Sequence, residues 1–245
     1  MQLSETFIHP DWPAPANVKA LQTTRLGGIS VAPYDTLNLG LHVGDDPLRV
    51  NRNRQLLAPF MPSEPVWLEQ THGTAVANAD AAACRVQADA CIARQRGSVC
   101  VVMTADCLPV LLCDEDGSVV GAVHAGWKGL AAGVIEATVK EMGVAPHKLL
   151  AWLGPAIGPE AFEVGEDVRT AFMAHDAKAA EAFAAHGPQG KYHADIALLA
   201  RQRLGALGIT RIHGGIHCTY HQKDSFFSYR RDGVTGRMGT FIWLR

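Results

Sequence analysis

Residues 103–130, MTADCLPVLLCDEDGSVVGAVHAGWKGL, constrain the fold more than any other stretch of the chain. The apolar runs here are short, rich in β-branched residues and separated by turn residues, a pattern typical of buried strands. We predict strands over 99–103, 109–112 and 119–123. Cys107 then follows the first strand and His124 closes the last, so polar chemistry is expected where these strands end.

The residues after His124, Ala125-Gly126-Trp127-Lys128-Gly129, predict a strand-to-helix junction. Two glycines at such a junction allow another group to come close to the backbone, and a helix N-terminus offers unpaired N–H groups to an anion. Apolar residues at helical spacing then predict a helix over 129–142, with Gly143 as its stop.

The rest of the chain predicts a layered architecture. Strands are expected over 18–24, 66–70, 75–79 and 149–153. Helices are expected after the capping residue Asp46, over 167–175 and over 194–207, and the alanine-rich segment 176–189 is expected to be a surface excursion. This alternation favours an α/β (α+β) layered sandwich with a mixed β-sheet. Because no linker divides the chain, we expect a single domain over residues 1–245.

Charge and hydropathy exclude several classes of protein. The net charge is −2, with acidic and basic residues interspersed, which argues against a general nucleic-acid binder. No apolar run approaches the roughly 20 residues that a membrane-spanning helix needs. The N-terminus has neither a basic start nor an apolar core, so we expect a cytoplasmic protein without a membrane partner.

The six cysteines are expected to be thiols in that compartment. Four lie in apolar or alanine-rich surroundings and are expected to be small core residues: Cys84, Cys91, Cys100 and Cys113. Cys107 and Cys218 differ because each lies in a polar, turn-like setting.

Cys107, His124 and His72, the histidine of a Gln-Thr-His-Gly turn, could form either of two sites. As a Cys-His dyad they would provide a thiolate nucleophile. As metal ligands, one thiolate and two imidazoles would leave a fourth tetrahedral position open, as in catalytic zinc sites. The intervals of 35 and 17 residues match no compact zinc finger, so spacing does not decide between the two.

A series of motifs carries a resemblance along nearly the whole chain. In order they are TTRLGG, LNLGLHVGDDP followed by NR at 51–52, QTHG, TADCLPVLLCD, HAGWKGL, GPAIGPEAFEVG, CTY and FFSYRRDGVTGR. Together they resemble the YfiH-like laccase-domain family. Members of that family are variously called polyphenol oxidases, purine nucleoside phosphorylases and peptidoglycan editing factors.

The resemblance implies a mixed α/β layered fold and a zinc site formed by His72, Cys107 and His124. It also implies phosphorolysis of adenosine, inosine and methylthioadenosine to the free base and ribose 1-phosphate or methylthioribose 1-phosphate, with deamination of adenosine as a side activity. The implied partners are therefore small molecules, purine nucleosides and phosphate. The oligomeric state is not indicated.

Phosphorolysis needs cations and N–H groups near the phosphate. The sequence candidates for this substrate and phosphate role are Arg25, Lys128, Arg230 and Arg231, together with the helix start at Gly129.

Three other functions stay open from the sequence. A copper-dependent polyphenol oxidase is less favoured, because the chain has no H-x-H motif and a single Cys-His-His site, although it could accept copper, is poorly suited to four-electron oxygen chemistry. A Cys107/His124 hydrolase acting on peptidoglycan precursors is the second alternative, and a non-catalytic zinc-binding accessory protein is the third.

Overall fold

The computed structural model describes residues 3–81 and 86–245. In this part of the chain the strands are β1 (Val18–Gln22), β2 (Leu68–Glu69), β3 (Val76–Asn78), β4 (Val86–Gln87), β5 (Ala90–Ala93), β6 (Val99–Thr104), β7 (Leu108–Asp114), β8 (Val120–Ala125), β9 (Leu149–Leu153), β10 (Glu163–Gly165), β11 (Phe183–Ala185), β12 (Lys191–Ala194), β13 (Arg211–Gly214) and β14 (Met238–Leu244). The helices are α1 (Pro47–Leu57), α2 (Trp127–Ala132), α3 (Val134–Met142), α4 (Glu166–Met173), α5 (Ile196–Ala206) and the short α6 (Tyr229–Asp232).

A six-stranded mixed sheet lies at the centre, in the order β13-β9-β7-β8-β5-β3. β13 pairs with β9 in parallel and β3 pairs with β5 in parallel, whereas the pairs among β9, β7, β8 and β5 are antiparallel. All seven residues of β7 and all six of β8 are buried, because both faces of the sheet are covered. This explains why their sequence is continuously apolar rather than alternating.

Alternate residues of β7 face two different cores. Val110 and Leu112 belong to the core beneath the helices, while Leu111 and Cys113 pack toward a second sheet. That second sheet has the order β1-β14-β6 and is antiparallel throughout. Its outer face packs on α1 and on the loop that carries Leu37 and Leu39. The predicted layered sandwich with a mixed sheet is therefore confirmed.

The helix predicted over 129–142 was wrong in its start and in its continuity. α2 begins at Trp127 after Gly126, and it ends at Ala132, because the following Gly133 has a φ of 98° in the left-handed region. α3 then starts at Val134 and ends at Met142, before Gly143 as expected. Because α2 has only six residues, the chain turns sharply here, and the helix start lies two residues closer to His124 than the pattern indicated.

The alanine-rich segment, predicted to be a surface excursion, is largely exposed, but part of it is buried and forms regular structure. Ala179 and Ala182 are buried in the core beneath the helices. β11 pairs with β12, and β12 pairs with β10, to form a small antiparallel sheet. Alanine here permits close packing rather than marking a loop.

The predicted capping of α1 is confirmed, since the Asp46 carboxylate accepts a hydrogen bond from the Leu48 N–H. Cys91, Cys100 and Cys113 are buried free thiols, as predicted, and Cys84 lies outside the described residues. Among the helices of residues 3–81 and 86–245, none is long and apolar enough to cross a membrane.

Candidate metal centre

The hairpin of β7 and β8 brings Cys107 and His124 together. Cys107 immediately precedes β7, and His124 pairs in register with Pro109, near the start of the same strand. The two polar side chains therefore lie together where these strands begin and end. Cys107 is half-buried, and His124 is 3% exposed.

His72 reaches the same place from a turn between β2 and β3. Its φ is 62°, an unusual value for a residue with a side chain. The Asp89 carboxylate holds this turn by accepting hydrogen bonds from the N–H groups of Thr71 (3.1 Å), His72 (2.9 Å) and Gly73 (2.7 Å). Such backbone strain persists only where the surroundings impose it, and here Asp89 imposes it.

The three side chains form a compact group of donor atoms. One ligand atom from each of His72, Cys107 and His124 lies within 4.8 Å of the others. The Cys107 Sγ atom is 3.8 Å from His72 Nε2, and the two imidazole ring centroids are 4.7 Å apart. Within the described residues this is the one group of histidines, cysteines and acids that could hold a metal ion.

Asp89 also fixes the tautomer of His124. Its Oδ1 atom lies 2.8 Å from His124 Nδ1, which leaves Nε2 as the ligand atom. A carboxylate behind a ligating imidazole is the usual way to orient the ring and raise its basicity. Burial disfavours the Asp89 charge, but the hydrogen bonds from His124 and the turn N–H groups outweigh it and lower the pKa of Asp89 to about 2.

The interaction between Cys107 and His124 favours the charged form of each side chain. Burial opposes ionisation of Cys107, but the His124 charge and hydrogen bonds from both imidazoles lower the pKa of the thiol to about 6. Burial likewise opposes protonation of His124, but the Cys107 charge and the Asp89 hydrogen bond raise its pKa to about 9. A thiolate at neutral pH suits both a metal ligand and a nucleophile.

The glycines after His124 bring the helix start against these ligands. A Cβ atom at Gly126 would lie 2.7 Å from His72 Cδ2 and 3.0 Å from Cys107 Sγ. A Cβ atom at Gly129 would lie 2.8 Å from the Gly73 carbonyl oxygen. The predicted close approach to the backbone is therefore made by the ligands and the His72 turn.

A cavity of about 360 Å³ adjoins the group, and we call it the aromatic cavity. Its lining includes Trp127, Phe162 and Tyr229, the aliphatic residues Ile157 and Ile196, and the ligands His72 and Cys107. Cavities of about 300–1,000 Å³ with apolar walls and a few polar groups are typical of small-molecule sites.

Asp106 connects this cavity to the C-terminal part of the chain. Asp106 immediately precedes Cys107 in the chain. Like His72, it has a positive φ, of 89°. Its carboxylate accepts hydrogen bonds of 2.6 Å from Thr219 Oγ1 and from the Arg230 N–H. The sequence reasoning missed Asp106 and Asp89. A lone acidic residue next to a buried strand was the signal available for each.

The four predicted basic residues do not lie together. Lys128 and Arg230 line the aromatic cavity, and Arg230 also donates to the carbonyl oxygens of Ala161 and Glu163. Arg25 and Arg231 are absent from that lining.

The guanidinium groups of Arg25 and Arg231 bind backbone carbonyl oxygens and neighbouring carboxylates. Arg25 pairs with Asp35 and donates to carbonyl oxygens of Asp35 and Lys223. Arg231 donates to the carbonyl oxygens of Thr219, Tyr220 and Phe226 and pairs with Asp232. Both therefore hold loops together in the structure.

A mixed-sheet α/β sandwich with a His–Cys–His group between neighbouring strand ends defines a class of potential metalloproteins. The chain belongs to the family described as multi-copper polyphenol oxidoreductase laccase, whose model matches residues 19–245. It is 56% identical over 241 residues to the Escherichia coli purine nucleoside phosphorylase YfiH, covering 97% of this chain and 98% of that protein. It is 53% identical over 239 residues to a Pseudomonas aeruginosa purine nucleoside phosphorylase, covering 98% of each.

Solved structures share the fold. A Neisseria meningitidis protein matches with a TM-score of 0.93 and 50% identity, covering 98% of this chain and 99% of that one. YlmD from Geobacillus stearothermophilus matches with a TM-score of 0.87 and 30% identity, covering 100% of this chain and 98% of that one. The predicted family resemblance is confirmed.

Proposed function

We propose that the chain is a zinc-dependent purine nucleoside phosphorylase. The observation that carries the proposal is the aromatic cavity, which shares His72 and Cys107 with the His–Cys–His group. The names of the relatives support the same reaction class. The proposed substrates are adenosine, inosine and methylthioadenosine with inorganic phosphate, and the products are the free base and ribose 1-phosphate or methylthioribose 1-phosphate.

The donor set fits zinc. A thiolate and two neutral imidazoles are ligands that zinc prefers, and three protein ligands leave one position open, as in catalytic sites. Copper could bind the same group, because affinity for such donors rises toward copper. A bound zinc would supply a Lewis acid and activate water, which is the chemistry that the proposed adenosine deaminase side activity needs at C6 of adenine.

The cavity walls suit a purine nucleoside. Trp127, Phe162 and Tyr229 offer aromatic faces to a planar base, and stacking of a base on such a side chain is worth about 1–3 kcal/mol in other proteins. Lys128 and Arg230 provide positive charge at the same cavity. These cations would stabilise the negative charge that develops on the departing base.

A multi-copper oxidase mechanism has little support from the site. Residues 3–81 and 86–245 offer one potential metal group rather than the several that multi-copper oxygen chemistry requires. A thiol hydrolase remains the alternative with a specific observation in its favour, because the pKa of Cys107 is lowered to about 6. That reading gives His72 no role, although Asp89 holds its turn at strained φ.

Metal analysis and inosine turnover test the proposal together. Protein purified without added metal should contain one zinc per chain and should release hypoxanthine from inosine only when phosphate is present. Cys107→Ala and His124→Ala should lose zinc and turnover together, because three ligands hold one ion, whereas the control Cys218→Ser should retain both. Hypoxanthine release at an equal rate in phosphate-free buffer would show that the reaction class is wrong.

Alkylation separates the ligand role of Cys107 from a nucleophile role. A thiolate committed to zinc should react slowly with iodoacetamide in the metal-loaded protein and rapidly after chelation. A nucleophile should react rapidly and stoichiometrically in the metal-loaded protein, and that result would favour the hydrolase.

A further inference from the structure

A second cavity of about 360 Å³ adjoins the His–Cys–His group, and we call it the basic cavity. It shares four lining residues with the aromatic cavity: His72, Ala105, Cys107 and Tyr229. Only the basic cavity is lined by His124 as well, so it is the one that all three candidate ligands face. The proposed function gives this second space no occupant.

The basic cavity contains a cation without a carboxylate partner. Within the described residues, the Arg237 guanidinium forms no ion pair, and its only hydrogen bonds run from Nη1 to the carbonyl oxygens of Thr235 (3.1 Å) and Gly236 (3.0 Å). The N–H groups of its Nε and Nη2 atoms therefore form no hydrogen bond with the described residues. Burial lowers the pKa of Arg237, although the nearby charges of Cys107 and Asp106 act in the opposite direction, and an anion bound at the guanidinium would offset the cost of burial further.

Arg237 is also held in position before any ligand arrives. Its backbone N–H donates to Asn38 Oδ1 at 2.9 Å, and its guanidinium lies 5.9 Å from the centroid of the Tyr229 ring. A guanidinium with two free donors and a fixed backbone suits two-point recognition of a phosphate. Side-chain donors that are already in position lose less conformational entropy when a ligand binds.

His42 adds a second polar group with unused hydrogen-bonding capacity. It lines the basic cavity and forms no hydrogen bond with the described residues. Burial, together with the charges of Arg237 and Arg54, lowers its pKa. In the described part of the chain no carboxylate lines this cavity, whereas Asp106 lines the aromatic cavity. Of the residues that line the two cavities, cations lie in both, but a carboxylate lies only in the aromatic cavity.

We propose that the basic cavity binds the inorganic phosphate of the reaction through Arg237 and His42, while the nucleoside occupies the aromatic cavity. This inference rests on the proposed function. A phosphate oxygen would form a bond to C1′ of the sugar while the bond from C1′ to the purine nitrogen breaks. The electron pair of that bond leaves with the base, and the proton of hydrogen phosphate ends on the base.

Two adjoining cavities suit this displacement better than one. In an inverting substitution at a sugar carbon, the nucleophile approaches the face opposite to the departing group. A nucleoside whose base lies among Trp127 and Phe162 would place its sugar toward His72 and Cys107, which border both cavities. Phosphate at Lys128 and Arg230, as the sequence indicated, would instead share the cavity with the base.

The test uses the zinc-loaded enzyme and two separate measurements. Binding of inorganic phosphate alone is measured by isothermal titration calorimetry, and the KM values for phosphate and inosine are measured by turnover. Arg237→Gln should weaken phosphate binding and raise its KM at least roughly tenfold, as expected for a lost charged hydrogen bond, and should change the inosine KM by less than about threefold. His42→Gln should have a smaller effect in the same direction.

Two further variants keep the outcome decisive. Arg237→Lys retains the charge without the planar fork and should recover part of the phosphate affinity, and it replaces Arg237→Gln if the latter fails to fold. Lys128→Met, in the aromatic cavity, should raise the KM for inosine more than that for phosphate. Zinc content, measured for every variant, should be unchanged.

The results separate this inference from the proposed function. Unchanged phosphate affinity in the Arg237 and His42 variants, with a tenfold loss in Lys128→Met or Arg230→Met, would overturn the second site while leaving phosphorolysis intact. Phosphate binding that depends on Arg237 in an enzyme that cleaves no nucleoside would overturn the proposed function and retain the anion site.

Discussion

Asp89 is a single side chain on which the geometry of two candidate ligands depends. Its carboxylate accepts three backbone N–H groups of the His72 turn, the Thr71 hydroxyl and the Nδ1–H of His124. All five groups are donors. A carboxylate has the acceptor capacity for such a set, whereas a carboxamide must turn its NH2 group toward at least one donor.

Asp89→Asn should therefore lower metal affinity by about 10- to 100-fold, the range seen when a partner behind a metal ligand is removed. The protein should also lose stability, because buried donors of the turn lose their acceptor. Competition with a chelator of known affinity measures the first effect, and thermal unfolding of the metal-free protein measures the second.

Asp80→Asn is the matched control for this substitution. Asp80 also accepts two backbone N–H groups, from Arg94 and Gln95, but it lies away from the ligands. It should reduce stability modestly without changing metal affinity. Equal metal affinity in Asp89→Asn and the unmodified protein would show that Asp89 does not orient His124.

Functional residues could be predicted from the sequence where they lie in a motif. They could not be predicted where only tertiary contacts bring them to the site. The three candidate ligands follow strand ends or lie in a turn, and the family motifs include each of them. Asp89 acts on His124 across 35 positions, and Arg237 reaches the site from the C-terminal part of the chain. No local pattern encodes such contacts. Arg25 and Arg231 were predicted as phosphate ligands, and the sequence did not reveal that their guanidinium groups also donate to backbone carbonyl oxygens.

At the scale of elements, the start of α2 positions the backbone within contact distance of the ligands. Gly126→Ala should place a Cβ atom 2.7 Å from His72 Cδ2 and 3.0 Å from Cys107 Sγ, so both ligands must move. We expect metal affinity to fall at least tenfold, since ligand displacement is costly to a tetrahedral site. Chelator competition measures the change.

Gly133→Ala is the control in the neighbouring turn. Gly133 has a φ of 98°, so alanine there should destabilise the fold by about 1–3 kcal/mol through backbone strain. Its Cβ atom would meet nothing closer than Glu136 Oε2 at 3.5 Å, so metal affinity should be retained. If both variants lost stability and metal to the same degree, the contact of Gly126 with the ligands would not be the cause.

The turn between β7 and β8 supplies a pH-dependent contribution to stability. The buried Asp114 carboxylate accepts hydrogen bonds from Ser118 N–H (2.7 Å), Ser118 Oγ (2.6 Å) and Val119 N–H (3.0 Å). Burial raises the pKa of Asp114, but these hydrogen bonds outweigh it and lower the pKa below the usual value. The unfolded chain therefore binds this proton more tightly than the folded protein does.

This contribution should be complete above the unfolded pKa of about 3.9 and should disappear as the pH falls through the lower folded value. Asp114→Asn should reduce the free energy of unfolding at pH 7 by about 1–3 kcal/mol, with the difference from the unmodified protein shrinking at acidic pH. Urea unfolding of both proteins between pH 7 and pH 3 measures this difference in the free energy of unfolding. The exposed Asp116, changed to Asn, is the control and should show no such convergence.

Element boundaries show what the sequence could and could not predict. The strands over 99–103, 109–112 and 119–123 were located to within a few residues, because continuous apolar runs with turn residues between them have few alternatives. The break at Gly133 was missed, since the apolar spacing continues across it. The small sheet of β10, β11 and β12 was missed because its strands have only three or four residues, too few to show a period-2 pattern.

At the scale of the molecule, the candidate ligands come from separate segments of the fold. His72 lies between β2 and β3, Cys107 between β6 and β7, and His124 at the end of β8. β6 belongs to the three-stranded sheet and β7 to the six-stranded sheet, so the group lies where the chain passes between the two. A metal bound by all three residues would connect these segments, and global unfolding would have to release it.

The single-domain extent of residues 1–245 stays a prediction.

Removal of the metal should therefore lower the stability of the whole molecule. A ligand that binds only the folded state adds a stability of about 1.4 kcal/mol for each tenfold excess of its concentration over Kd. Chelation should lower the midpoint of thermal unfolding by several degrees, and added zinc should restore it. In Cys107→Ala, which lacks one ligand, chelator and zinc should have little effect, whereas Cys218→Ser should respond like the unmodified protein. An unchanged midpoint after confirmed loss of zinc would mean that the ion was not held by these three segments.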